Sequence, residues 1–243
     1  MRDNYKYVSL VYDYLMTNID YKFWADYIFK LASVYKKCEK CSVLELASGN
    51  GKLSVYLYKR FNEYIISDIS ISMLKNNKVS DCPKICFDML YPPLKKKFDI
   101  VICTFDSINY ILSKKKLKEF FVKVSSLLND EGIFLFDAGL IRNSIIHKKF
   151  ATRTGTLGNI RFTQKSIFME KSKIHKNIFK FYFENGGIAT EVHRQKIYDL
   201  SEIIEILERA KFYIIKCLNA FTFSECKKDH LRAQFVVKRN LVC

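Results

Sequence analysis

The chain is expected to fold as an α/β protein on a doubly wound, mostly parallel sheet, and three observations carry that expectation. Short apolar strands alternate with helix-length amphipathic segments between residues 42 and 137. The first of these strands runs straight into a glycine-containing turn, Ala47-Ser48-Gly49-Asn50-Gly51. The 243 residues, 49% of them apolar, suffice for one sizeable core, so residues 1–243 are read as a single domain.

Two amphipathic helices open the chain and form an N-terminal cap over residues 1–37. The first spans about Val8 to Met16; in the second, from about Tyr21, the residues Tyr21, Trp24, Ile28, Leu31 and Tyr35 recur at helical spacing. Strand Ser42 to Leu46 then leads through the turn into a helix ending near Arg60. Next come strand Tyr64 to Ser67, helix Ser70 to Lys78 and strand Lys84 to Phe87, then strand Phe98 to Thr104, helix Lys114 to Leu128 and strand Gly132 to Asp137. Beyond Asp137 the period changes. Asn159 to Glu170, Lys173 to Glu184 and Ile188 to Tyr198 read as extended segments, separated by Lys171-Ser172 and the tight-turn sequence Asn185-Gly186-Gly187. An antiparallel insertion of about three strands is expected within residues 150–198. Helix Ser201 to Ala210 and strands Phe212 to Leu218 and Leu231 to Lys238 complete seven strands in the main sheet.

Composition narrows the function. No apolar run reaches the roughly 18 residues of a membrane span, and Met1 to Asp13 lacks a signal-peptide core, so a cytoplasmic protein with no membrane partner is expected. The eight cysteines, Cys243 among them, read as reduced thiols in such a compartment, and no metal site is assigned from Cys38, Cys41, Cys82 and Cys86. A net charge of +16, from 41 Lys and Arg against 25 Asp and Glu, can mark a nucleic-acid surface. The basic clusters, such as Lys95 to Lys97, Lys114 to Lys118, and Lys148 with Lys149, fall mostly at turns and helix ends, where they read equally as a solvated surface.

The turn after the first strand carries the chemistry. Glycines let the main chain bend without a Cβ in the way, and the following helix start leaves amides free for polar ligand atoms. An ordinary strand-to-helix turn would look the same. Asp68 closes the second strand 19 residues after Gly49, near the ~20-residue offset at which a carboxylate meets ribose hydroxyls. It is also placed to cap the helix beginning near Ser70.

The stretch Glu45 to Gly51, followed by Ser67-Asp68-Ile69-Ser70 and Met73-Leu74, resembles the class I, Rossmann-like methyltransferases that use S-adenosylmethionine. Phe87-Asp88-Met89, Phe98-Asp99-Ile100-Val101 and Asp130-Glu131-Gly132 extend the resemblance, which runs from Tyr12-Asp13-Tyr14-Leu15-Met16 to His193-Arg194-Gln195. The arrangement is similar to small-molecule methyltransferases related to glycine and sugar-amine N-methyltransferases. The resemblance implies that Ala47, Gly49 and Gly51 line the methionine part and that Asp68 and Ile69 hold the ribose, with Glu45 and Met73 also part of the cofactor site. Asp88 and Met89 would flank the adenine. Thr104 and Phe105 would close the pocket beneath the sulfonium, with Tyr12 and Trp24 contributed by the cap. The departures are Ala47, Ser48 and Asn50, where Gly or Ala, Cys and Thr are more familiar.

Asp106, Ser107, Asn109 and Tyr110 follow the fourth strand, where polar groups face the acceptor atom; Asp106 and Ser107 also suit a cap or turn. His193 is the base candidate, because the insertion strand that carries it should cover the pocket. Catalytic roles are therefore assigned to His193, Asp106 and Tyr110. The expected reaction is methyl transfer to nitrogen or oxygen of a small-molecule acceptor. The competing readings are RNA methylation, suggested by the charge, and a non-catalytic S-adenosylmethionine-binding protein. A nicotinamide enzyme is disfavoured, because positions 47, 49 and 51 read Ala, Gly, Gly in place of the longer GxGxxG.

Overall fold

The structure, a computed structural model, describes residues 3–149 and 152–240, with Lys148 and Lys149 described at the backbone alone. Residues 1, 2 and 150, which bound the expected cap and insertion, and Cys243 lie outside the described residues. Helices α1 (Val8–Leu15) and α2 (Tyr21–Tyr35) precede the alternation β1 (Ser42–Leu46), α3 (Ser54–Leu57), β2 (Glu63–Asp68), α4 (Ile71–Lys75), β3 (Lys84–Cys86), β4 (Phe98–Cys103), α5 (Lys114–Leu127), β5 (Leu128–Gly139). After these come α6 (Ile141–Lys149), the insertion strands β6 (Thr152–Leu157), β7 (Ile160–Met169), β8 (Ile174–Phe183) and β9 (Ile188–Lys196), and finally α7 (Leu200–Arg209), β10 (Phe212–Asn219) and β11 (Arg232–Arg239).

The main sheet has the order β10-β11-β5-β4-β1-β2-β3 and is parallel except at β11, which runs antiparallel to both its neighbours. Strand alternation supplies both of its faces. Phe134 and Phe136 of β5, with Val101 of β4, turn toward α5 and α7, where Phe120, Phe121 and Leu207 meet them. Ile133 and Leu135, with Ile100 and Ile102, turn the other way, onto Ile28 and Leu31 of α2 and Leu57 of α3. Each such apolar side chain contributes about 1.5–3 kcal/mol on burial, so a strand buried on both faces holds the parallel sheet. α2 begins where Asp20 accepts a hydrogen bond from the Phe23 amide (2.8 Å), and α7 where Asp199 and Glu202 form a capping box.

Four features depart from the sequence expectation. The helix expected to reach Lys78 ends at Lys75, because Asn77 turns its side chain onto the Val79 amide and Lys78 bonds back to Asn50. The fifth strand runs past Asp137 to Gly139, because β11 pairs along it up to Arg232. Helix α6 occupies a segment left unassigned. The insertion has four strands in place of about three: β6 is almost wholly exposed, so it lacks the apolar alternation that marks a half-buried strand, and only its pairing with β7 reveals it.

Candidate functional site

The glycine turn and the end of β2 meet at the carboxyl edge of the sheet, where ligands bind in such folds. Ala47, Gly49 and Gly51 all have positive φ (52°, 60° and 76°), so the chain doubles back sharply before α3. A Cβ on Gly51 would lie 2.4 Å from the Asn77 side chain, whereas the space beside Gly49 is open. Asp68 accepts hydrogen bonds from the Gly49 amide on one carboxylate oxygen and from the Ser70 amide on the other, both at 2.8 Å. Each oxygen therefore keeps a lone pair for a further donor. Burial pushes the Asp68 carboxyl up to about 6, against the pull of those two amides. The cap of α4 is Ser70, which accepts from the Met73 amide; Asp68 braces the turn as well as the start of that helix.

Glu45 lies beneath this turn. Its carboxylate accepts hydrogen bonds from the Ser54 hydroxyl (2.5 Å) and the Tyr64 hydroxyl (2.9 Å), so it acts on the site through the shape of the turn. Burial raises its pKa to about 7, opposed by the two hydroxyls. A folded pKa above the unfolded value of 4.5 means that stability is lost as pH rises from about 4.5 to 7, by about 3 kcal/mol from this group. Glu45→Gln keeps an acceptor for both hydroxyls without the charge. Its melting temperature is expected to exceed the wild type's at pH 8 and to converge with it at pH 5. Parallel melting curves across that range would exclude the assignment.

The loop after β4 forms the facing wall. Phe105 and Asp106 are both left-handed (φ 67° and 56°), a strained pair for residues with side chains. Asp137, fully buried at the end of β5, holds them there by accepting from the Phe105 amide (3.1 Å) and the Asp106 amide (2.6 Å). Arg232, at the start of β11, lies 2.6 Å from an Asp106 oxygen and 3.0 Å from Asp137. Its guanidinium also covers the rings of Trp24 and Phe105, at 5.3 and 5.9 Å. Burial pushes Asp106 up, to about 6, even with the Arg232 charge beside it. Trp24 stacks on Phe105 at 4.6 Å and Tyr21 at 5.9 Å, so α2 is part of the wall as well as of the core. Thr104 is buried at the strand end beneath them.

The third side comes from the N-terminal segment and the insertion. Glu191 of β9 accepts from the Tyr7 and Val8 amides at the start of α1, which draws Tyr5 inward. Tyr5 donates its hydroxyl hydrogen to Tyr110, and its ring lies 4.5 Å from that of His193. His193 is buried, and its Nε2 makes no hydrogen bond among the described residues; a Glu191 oxygen lies 3.5 Å away. His193 and Tyr110 are thus brought together, their rings 6.2 Å apart. Asp106 stands on the Arg232 side of the same loop. Tyr12 is drawn against the insertion with Val8 and Val11, and burial raises its phenol well above the ordinary value.

On the β2–β3 side, Met73 is buried and Ile69 half-buried. Asp88 accepts from the Leu90 amide (2.9 Å) in a turn that presents Met89 beside the core. Four residues absent from the sequence selection join the site. Asp13 bonds to Asn50 (2.7 Å) and Lys52 (3.1 Å) and so pins the turn to α1, and Asp3 bonds to Ser70 and Ser72 of α4. Tyr5 and Arg232 are the others. Asp13 and Tyr5 carried a local signal, Asp13 inside the segment Tyr12 to Met16 and Tyr5 as one of the aromatics of the N-terminal cap.

Residues 43–132 match the family model described as a methyltransferase domain. The chain is 28% identical to "Putative methyltransferase YqeM" of Bacillus subtilis (strain 168), with 97% of each chain covered. Among solved structures it resembles an S-adenosylmethionine-dependent methyltransferase of Clostridium acetobutylicum (21% identity, 97% and 98% coverage, TM-score 0.80). It also resembles the sugar N-methyltransferase KedS8 of Streptoalloteichus sp (17% identity, 94% and 93% coverage, TM-score 0.73). The glycine turn and its acidic partner lie inside the matched domain, and the whole chain follows the fold of those structures: it is an enzyme, a methyltransferase of the Rossmann-like fold.

Proposed function

We propose that the chain transfers a methyl group from S-adenosylmethionine to a nitrogen or oxygen of a small molecule, within one domain whose N-terminal cap and antiparallel insertion close over the site. The observation that carries this reading is the pairing of the left-handed glycine turn with Asp68, whose two oxygens each retain an acceptor site. The residues present suit the cofactor. The space at Gly49 is open, the buried Ser48 hydroxyl and Trp24 indole N-H have no partner among the described residues, and the Asp68 lone pairs match a ribose diol. When bound, S-adenosylmethionine supplies an already activated methyl group on a cationic sulfur. Gly49, Ser48 and Gly51 would hold its amino-acid end, Asp68 with Ile69 and Met73 its ribose, and Asp88 with Met89 its adenine.

What this chain supplies beyond binding is orientation and exclusion of water. Fixing two reactants in line can lower a barrier by about 7–11 kcal/mol. Trp24, Phe105 and Tyr12 exclude solvent, and Asp106 and Tyr110 orient the acceptor. His193, whose Nε2 lies 3.5 Å from a Glu191 carboxylate oxygen that would stabilise the charged ring, would take the acceptor's proton. The sugar N-methyltransferase among the structural relatives supports a small-molecule acceptor. RNA is the second reading. A surface groove beside the turn, about 340 Å³, is lined by Lys22, Lys52 and Lys78 with Tyr21 and Tyr56, the basic and aromatic mix that suits single strands.

The first test is calorimetric titration with S-adenosylmethionine, S-adenosylhomocysteine and NADH in parallel. Both adenosyl ligands are expected to bind and NADH is not. Binding of NADH alone, or of none of the three to folded protein, would overturn the reading. A methyl-transfer screen over amines, phenols and tRNA then separates the two acceptor classes.

A further inference from the structure

The inner face of the insertion sheet is divided. Where Phe162 and Phe181 stand cross-strand, the face is apolar and packs on Val8, Val11 and Leu15. Toward the other end, register brings Ser166, Asn177 and His193 into one row and Phe168, His175 and Gln195 into the next. A sheet face turned toward the protein is normally apolar, because polar groups withdrawn from water need partners. Here Ser166 and Asn177 of the one row and His175 and Gln195 of the other border a cavity of about 130 Å³, closed on the far side by Asp106, Asn109 and Gly139 of the main sheet's edge and by Ser144 of α6.

We propose that this cavity is the acceptor pocket, and that it takes a neutral, ring-sized group rich in hydroxyl or amide functions. The proposal rests on the methyltransferase reading and deepens it. In a chain with 41 Lys and Arg, none of the described residues lining the cavity is a lysine or arginine, and its one carboxylate, Asp106, is paired with Arg232. Charged acceptors therefore find no counter-charge there. Neutral ones find both donors and acceptors. The Asn177 Oδ1 accepts from Gln164 (3.1 Å) and Ser166 (2.6 Å), which leaves the Asn177 amide N-H groups for a ligand. The His175 Nδ1 bonds to the Ser144 hydroxyl (2.9 Å), which leaves Nε2. Burial, with His147 beside it, lowers His175 to about 4, so the ring is uncharged at neutral pH. An apolar cavity of about 150 Å³ accepts one benzene, so this cavity suits one small ring or its substituents. His147, exposed at its border, leaves a way out for the rest of the molecule. Asp106 and Asn109 belong both to this cavity and to the loop that faces the proposed sulfonium position, so a bound acceptor would lie against the reacting edge.

The test is saturation-transfer NMR on the full chain saturated with S-adenosylhomocysteine, using methyl α-glucoside and N-acetylglucosamine as neutral probes and glucuronate and spermidine as charged ones. The neutral probes are expected to bind in preference. Asn177→Leu should weaken them by about tenfold, the loss of one buried hydrogen bond, while S-adenosylhomocysteine affinity by calorimetry stays unchanged. Ser166→Ala, a smaller change in the same row, serves if Asn177→Leu does not fold. Preferential binding of a charged probe, no binding of either neutral probe, or binding indifferent to both substitutions would overturn the proposal. Neutral-probe binding in a protein that fails to bind S-adenosylhomocysteine would leave the pocket in place and sink the cofactor reading instead.

Discussion

Asp68→Ala is expected to weaken S-adenosylmethionine binding by at least about 100-fold. Two hydrogen bonds to an ionised carboxylate contribute roughly 1.5–3 kcal/mol each, and every 1.4 kcal/mol is tenfold. The loss is larger than the ribose contacts alone would cause, because Asp68 also receives the Gly49 and Ser70 amides. Without it the Gly49 amide loses its tie to β2, and among the described residues only the Ser48 amide, on the Ser67 carbonyl, still joins the turn to that strand's end. A pH series separates charge from shape. The carboxyl titrates near 6 in the ligand-free protein, and the ionised form is the better acceptor of ribose hydroxyls. Wild-type affinity should therefore hold above pH 7 and fall as pH drops through about 6, while Asp68→Asn should be weak and flat across the range. Calorimetry at pH 5.5 and 7.5 reads this directly, and an affinity within threefold of wild type for Asp68→Ala in a folded protein, about 0.7 kcal/mol, would remove the ribose assignment.

The second large effect is on stability. Arg232→Met is expected to destabilise the fold by about 3–5 kcal/mol, the cost of leaving buried carboxylates without their counter-charge. At roughly 2–4 °C per kcal/mol for a chain of this size, the melting temperature should fall by about 6–20 °C. Asp137 is wholly buried and Asp106 partly so, and Arg232 is paired with both. The guanidinium also leaves the Trp24 and Phe105 rings, so the wall of the site should loosen with the loss of charge. Arg232→Met combined with Asp106→Asn should recover part of the stability, since one of the two orphaned charges is gone. Denaturant unfolding at pH 7 tests this. A single variant within about 1 kcal/mol of wild type would show that water reaches the cluster and pairs those carboxylates without the arginine.

The cofactor half of the molecule was legible because its signals are local. The strand Ser42–Leu46, the turn through Gly51 and the acidic end of β2 sit within 27 residues, and the backbone itself joins them into one unit. Helical spacing likewise placed α2 at its observed bounds, and Asn185-Gly186-Gly187 placed the hairpin between β8 and β9. Segments with weaker patterns escaped: β6 is an exposed edge strand, and α6 turns polar residues toward a cavity, so neither shows the apolar period of a half-buried element.

Sequence by itself therefore determined the alternation of elements, the seven-strand sheet and the residues of the glycine turn and its carboxylate, because each depends on neighbours close in the chain. Only the tertiary structure decided what surrounds them. Arg232 reaches Asp106 across 126 residues, and Tyr5 reaches Tyr110 across 105. The polar rows of the insertion become a pocket only because the sheet folds back over the carboxyl edge of β4 and β5. Contacts of that kind are set by packing and by the pairing of buried charges, which leave no periodic trace in the chain.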